Sequence, residues 1–205
     1  MVNRVLTKYF GFKVDRFLVV SSENSVLFDS VWQSGDILEV LKMSKIKDFS
    51  SNMYTDLDIR EFYDLLQFVG MLPSDRFEHT EVGESDVLNM DTILQEMTLD
   101  YFFAQERENI AILNGTTASG VASFGSRVVN NMGGRVIENA NAKSHYEKSY
   151  IVTDNPNSYP TKILQNTFLV KDVISKAESS NFGENVIDRA DITVIFGVDM
   201  EGILY

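Results

Sequence analysis

One junction constrains this chain more than any other stretch. Ile110-Ala111-Ile112-Leu113-Asn114-Gly115-Thr116 runs directly into Thr117-Ala118-Ser119-Gly120-Val121-Ala122. An apolar run of strand length ends on an Asn-Gly pair, and a helical apolar pattern starts a few residues later. That order is a strand–turn–helix junction, the place where α/β folds put their binding sites. It contains no Lys, Cys, His or paired carboxylate. Backbone amides and small hydroxyls can bind or pack, but they supply little chemistry.

The alternation of strand and helix continues downstream. Val121, Phe124, Val128, Val129 and Met132 share one helical face, and Gly133-Gly134 ends it. Strands are expected at Arg135–Glu138, Lys148–Thr153 and Ile192–Phe196. Asn155-Pro156-Asn157 reads as a turn. Pro160 is placed to open a second helix carrying Ile163, Leu164, Phe168, Val173, Ile174 and Ala177, a segment closed by Phe182-Gly183. The β-α-β-β-α-β order predicts a small α/β sandwich, with a sheet on one side and two helices on the other.

The first half reads as a separate mixed α/β region. Val2, Val5, Leu6, Tyr9 and Phe10 have helical spacing, with Gly11 as a stop. Val14–Val20 is β-rich, Val26–Trp32 and Ile37–Met43 read as helices, and Ser44–Tyr54 reads as polar connection. Thr55-Asp56-Leu57-Asp58 is a helix-start signature in which Thr55 caps, followed by the stripe Phe62, Leu65, Leu66, Val69, with Gly70 and Pro73 at its close. Arg76–Val82 alternates like an edge strand, 83–90 is loop, and a helix from Asp91 runs through Met97 toward Tyr101 and Phe102. The predicted domains are 1–106 and 107–205, divided at the polar Arg107-Glu108.

Charge and composition exclude several functions. The chain has 205 residues and a formal net charge of −12. Residues 1–100 hold 9 basic and 18 acidic side chains, and residues 101–205 hold 9 and 12. So acidic a chain, with no local basic patch, is repelled by phosphate backbones, and no nucleic-acid partner is expected. With no cysteines there is no disulfide, no Cys-ligated zinc and no Cys nucleophile. His79 and His145 lie far apart without ligand spacing, so no metal site is expected. No apolar run approaches a membrane span. Because Met1-Val2-Asn3-Arg4-Val5-Leu6 already reads as an amphipathic helix, the chain is expected to be a fragment or to have an engineered start.

The junction partly matches two phosphate-binding patterns. Gly115-Thr116-Thr117-Ala118-Ser119-Gly120 has the spacing of a P-loop, but Val121-Ala122 stands where Lys and a hydroxyl belong, which argues against nucleotide hydrolysis. A dinucleotide reading gains from Glu138 at the end of the next strand, but only two of the three fingerprint glycines are present. On physics alone, Asn114-Gly115 supplies a turn with positive φ and Thr116 or Thr117 caps the helix. A helix N-terminus still offers amides to an anion. The candidate ligand-binding residues are therefore Asn114, Gly115, Thr116, Thr117 and Gly120, with no catalytic residue, metal or cofactor.

Residues 109–200 also resemble the C-terminal accessory domain of LytR-CpsA-Psr proteins, the cell-envelope-related transcriptional attenuator family. Ile110–Thr116 with Gly120 and Ala122 is similar to its V-x-V-x-N-G-T-x-x-x-G-x-A opening. Asn139-Ala140 and Lys148-Ser149-Tyr150-Ile151-Val152 resemble its middle hairpin, and Ala190-Asp191-Ile192-Thr193-Val194-Ile195-Phe196-Gly197-Val198-Asp199 resembles its closing A-D-[IV]-T-V-x-x-G-x-D. More faintly, Gly11–Val20 and Thr55–Gly70 are similar to the tail of the family's catalytic-type domain. The resemblance implies a membrane-anchored, outward-facing parent that transfers polyprenyl-pyrophosphate-linked glycopolymers onto peptidoglycan. The arginine-rich R-x-R and D-x-x-x-R-x-x-R-Q-Q segments have no counterpart here, so no catalytic residue carries over. What remains is a non-catalytic, extracytoplasmic envelope module that binds cell-wall material or a partner protein. Three alternatives stand beside it: a reduced phosphotransferase needing Arg4, Arg16, Arg60 and Arg76 to converge, a structural or oligomerising role, and a nucleotide-binding domain.

Overall fold

A computed structural model describes Gly11 and residues 18–20, 53–71 and 90–200. The chain divides into two compact units: Val14–Gly83, and Glu84–Tyr205 together with Met1–Lys13. The residues flanking Arg107-Glu108 thus belong to one unit. The segments Val2–Phe10, Val26–Trp32, Ile37–Met43 and Arg76–Val82, with His79, lie outside the described residues, as do most of Val14–Val20 and of the loop at 83–90.

In the smaller unit, β1 (Leu18–Val20) pairs antiparallel with β2 (Met53–Thr55), Leu18 facing Thr55 and Val20 facing Met53. β2 corrects the expected polar connection at Met53 and Tyr54. Helix α1 (Ile59–Met71) follows. Asp58, not Thr55, starts it: Asp58 Oδ1 accepts the amides of Arg60 and Glu61 at 2.8 Å, and Glu61 Oε2 accepts that of Asp58 at 3.0 Å. This reciprocal arrangement satisfies amides a helix start leaves open. Thr55 serves one step earlier, accepting the Leu57 amide. Gly70 lies inside the helix.

The larger unit carries the α/β fold. Helices α2 (Met90–Thr98) and α3 (Tyr101–Glu106) replace the single helix expected from Asp91. The break falls at Asp100, whose carboxylate accepts the Phe103 amide while its own amide reaches Met132 O. Then come β3 (Asn109–Asn114), α4 (Val121–Asn131), β4 (Arg135–Asn141), β5 (Tyr150–Val152), α5 (Tyr159–Phe168), β6 (Asp172–Ile174) and β7 (Ile192–Phe196). The sheet order is β4-β3-β7-β5-β6. β3 is parallel to both β4 and β7, β7 is antiparallel to β5, and β5 is parallel to β6.

Two expectations change. Val173 and Ile174 leave the helix for β6, because Leu169 takes a left-handed conformation (φ 55°) that stops α5. The sandwich therefore has five strands, not four. β4 and β5 form no hairpin, since β3 and β7 stand between them.

Strand alternation sorts side chains onto two faces. Ile110, Ile112, Ile151, Ile192, Val194 and Phe196 pack beneath Phe124, Val128 and Val129 of α4 and Leu164 and Phe168 of α5. Both helices thus cover one face, as their apolar stripes require. On the opposite face Ala111, Leu113, Val152 and Ile195 meet Tyr146, Val186, Ile187 and Ala190 from irregular chain and short 3-10 turns. β3 and β7 are buried almost throughout, as central strands covered on both sides are.

Thr193, in the centre of β7, is buried and its Oγ1 has no hydrogen-bond partner. A buried hydroxyl left unpaired costs stability. Thr193→Val is expected to raise stability by about 1 kcal/mol, read as a higher midpoint in urea unfolding. A lowered midpoint would mean that the hydroxyl has a partner.

Candidate functional site

Antiparallel insertion of β7 beside β5 brings three sequence-distant segments to one end of the sheet. The C-terminal ends of β3 and β7 meet the start of β5 there, with Asn114 opposite Phe196 and Tyr150 opposite Ile195. Asn114, Gly115 and Thr116 are buried, whereas Thr117, Ser119 and Gly120 are exposed.

The Asn114 amide organises the loop. Its Oδ1 accepts the Thr116 amide at 3.0 Å and the Thr116 hydroxyl at 2.8 Å. Its Nδ2 donates to Ala118 O at 2.8 Å, with Asn141 Oδ1 at 3.4 Å. The Thr116 hydroxyl also accepts the Ala118 amide. Main-chain bonds close the rest: Gly115 N donates to Phe196 O, Tyr146 N to Gly115 O and Ala142 N to Asn114 O, all within 2.9 Å. Nearly every polar atom of Asn114 and Thr116 is therefore spent on the chain's own backbone.

The glycines play other parts than expected. Gly115 does not take positive φ. A Cβ there would stand 2.6 Å from the Tyr146 ring and 2.9 Å from Phe196 O, so close approach, not backbone freedom, selects glycine. Gly120 has positive φ, at 84°, and occupies the N-cap of α4 without any side-chain cap. Thr116 is turned into the loop and caps nothing in α4.

A second clasp lies beside the first. Ser149 Oγ donates to Asp199 Oδ1 at 2.6 Å and accepts the Gly197 amide at 2.9 Å, while Ser149 N reaches Asp199 Oδ2 at 3.1 Å. A Ser–Asp pair can suggest nucleophilic chemistry, but this serine is buried and its hydroxyl is engaged on both sides. At the opposite end of the sheet, Asp191 accepts the Asn109 amide at 2.8 Å and returns its own amide to Asn109 O. Tyr146 closes the second face: its hydroxyl donates to buried Glu184, which also accepts the Lys143 amide. Burial, then the Glu184 charge, pushes its phenol well above the ordinary range.

Glu138, the acid considered for a ribose, is paired with Arg189. His145 is exposed. Among the described residues no group of three or more His, Cys, Asp or Glu is placed to hold a metal, and no helix is long and apolar enough to cross a membrane.

The structure adds a site that sequence reading passed over. A cleft of about 360 Å³ lies among Phe103, Arg107, Glu108, Ile110, Arg135 and Pro160, where α3 leads into β3 and β4 begins. Glu108 Oε2 is buried with no hydrogen-bond partner. Burial raises the Glu108 carboxyl above the usual range, the Asp191 and Glu106 charges add to this, and the nearby Ser158 side chain opposes it. In sequence Arg107-Glu108 reads as polar punctuation. Only the fold brings Arg135 and Pro160 to them.

Comparison of the chain with protein-family models, with curated proteins and with solved structures finds no match.

Proposed function

We propose that this protein is a non-catalytic module of LytR-CpsA-Psr type that holds cell-wall material or an envelope partner protein, on an extracytoplasmic parent. One observation supports this most: the residues carrying the resemblance are the ones that clasp the fold. Asn114 and Thr116 close the loop after β3, Asp191 ties the start of β7 to β3, and Asp199 with Ser149 ties its end to β5. Polar groups bonded to one another in this way serve architecture and leave no activated nucleophile or base. Binding then falls to the exposed surfaces of the unit.

The phosphotransferase alternative draws no support from Arg60, which is exposed on α1; Arg4, Arg16 and Arg76 lie outside the described residues. Incubating the 205-residue chain with purified peptidoglycan sacculi and sedimenting them tests the proposal. Saturable retention at physiological salt is expected. Folded protein that stays in the supernatant at every salt concentration would overturn wall binding and leave the protein-partner form to be tested by cross-linking in an envelope extract.

A further inference from the structure

The cleft at the start of β3 has the chemistry of a recognition site, and this holds whether or not the chain binds the cell wall. Three features converge. Its apolar part comes from Phe103, Ile110 and Pro160, the first two nearly inaccessible to solvent. Its anion-attracting part comes from Arg107 and Arg135, both exposed and neither in an ion pair among the described residues. Its acceptor is Glu108, with one carboxylate oxygen buried and lacking any donor. A buried carboxylate oxygen without a partner is costly, and a ligand donor removes that cost.

Arg107 adds an independent sign. It caps α3 with φ 51°, ψ 26°, a left-handed conformation that side-chain-bearing residues seldom adopt and that glycine occupies without strain. Glycine is the usual residue at such a helix end, and Leu169 is the other described non-glycine residue with positive φ. Strained positions of this kind cluster at ligand sites. Here the strain holds an arginine at the mouth of a cleft.

The surrounding charges decide which ligand fits. Glu106 and Asp191 face Glu108 as further negative charge. That side favours a cation. Guanidinium forks favour a carboxylate. A volume of about 360 Å³ is at the small end of ligand pockets. We propose that this cleft binds a small zwitterion, a free apolar amino acid or dipeptide, with its ammonium group at Glu108, its carboxylate between Arg107 and Arg135, and its side chain against Phe103 and Pro160.

Isothermal titration with leucine and leucyl-leucine tests this, alongside leucyl-leucine that is N-acetylated or C-amidated. The free forms are expected to bind saturably, and either blocked form at least about tenfold more weakly, because each loses a charge-assisted contact. Glu108→Gln and Arg107→Gly should each weaken binding by a similar factor. Arg107→Gly should also keep or raise the thermal midpoint, since glycine suits the left-handed cap, which separates loss of binding from loss of fold. No binding of either free form would overturn the proposal. Equal binding of the blocked forms, or unchanged binding in both variants, would overturn it as well.

Discussion

Gly197→Ala is expected to destabilise the protein by about 3 kcal/mol, the upper end of what overpacking ordinarily costs. A Cβ at Gly197 would lie 2.4 Å from Lys148 C, 2.5 Å from Lys148 O and 2.8 Å from Tyr146 O. All three are backbone atoms, so no side chain can swing aside. The same backbone is fixed by the Ser149–Asp199 clasp and by Val198 N donating to Tyr146 O at 2.8 Å. Urea unfolding followed by far-UV circular dichroism reads the effect as a lowered midpoint at constant slope. A shift worth less than about 1 kcal/mol would mean that the two segments are less closely apposed than described.

Phe196→Ala is expected to cost about 3–5 kcal/mol, the range for deleting a buried aromatic ring. Phe196 is fully buried and meets Phe168 edge-on, with ring centroids 5.0 Å apart and planes at 81°. Its ring also fills the space where Gly125 of α4 would otherwise carry a side chain, since a Cβ there would sit 2.5 Å from the ring edge. This yields a sharper expectation than the single cost. Gly125→Ala should destabilise the parent chain, yet cost much less in the Phe196→Ala background, where the added methyl enters the vacated space. Residues in contact are expected to be coupled in this way, and strict additivity of the two changes would count against the packing.

How much of this was legible beforehand depended on length and on burial. β3 and β7 are continuous apolar runs because both their faces are covered, and such runs stand out in a sequence. Helices α4 and α5 were legible through their stripes and terminators: Gly133 ends one with φ 88°, and Pro160 stands in the first turn of the other. β2 was missed because it ends a polar stretch and its Thr55 reads as a helix cap, and β6 because it follows a helical pattern with no turn signal between. Val173 and Ile174 also matched the helical spacing of Leu164 and Phe168, and nothing local announces that Leu169 turns left-handed.

The candidate site divided in the same way. Asn114, Gly115 and Thr116 were singled out as a turn, but neither Asn114 nor Gly115 has the positive φ expected, and sequence could not show what their groups bond to. Gly115 illustrates the gap. Tyr146 and Phe196, which demand a glycine there, are 31 and 81 positions away in the chain and close only in space. The cleft around Glu108 was invisible for a related reason: its charged groups come from a helix end and from the start of a different strand.

The central claim is that polar groups at the β3–β7–β5 end of the sheet are bound to one another and hold the fold. Native-state hydrogen exchange of the ligand-free protein tests this most directly, at the amides of Gly115, Thr116 and Gly197. These donate to Phe196 O at 2.8 Å, Asn114 Oδ1 at 3.0 Å and Ser149 Oγ at 2.9 Å. Amides bonded within the cooperative core exchange only through global opening, whereas loop amides waiting for a ligand exchange freely. The account predicts protection at all three positions equal to that of the central residues of β3 and β7. Exchange at loop rates, with protection appearing only when an anion is added, would contradict it.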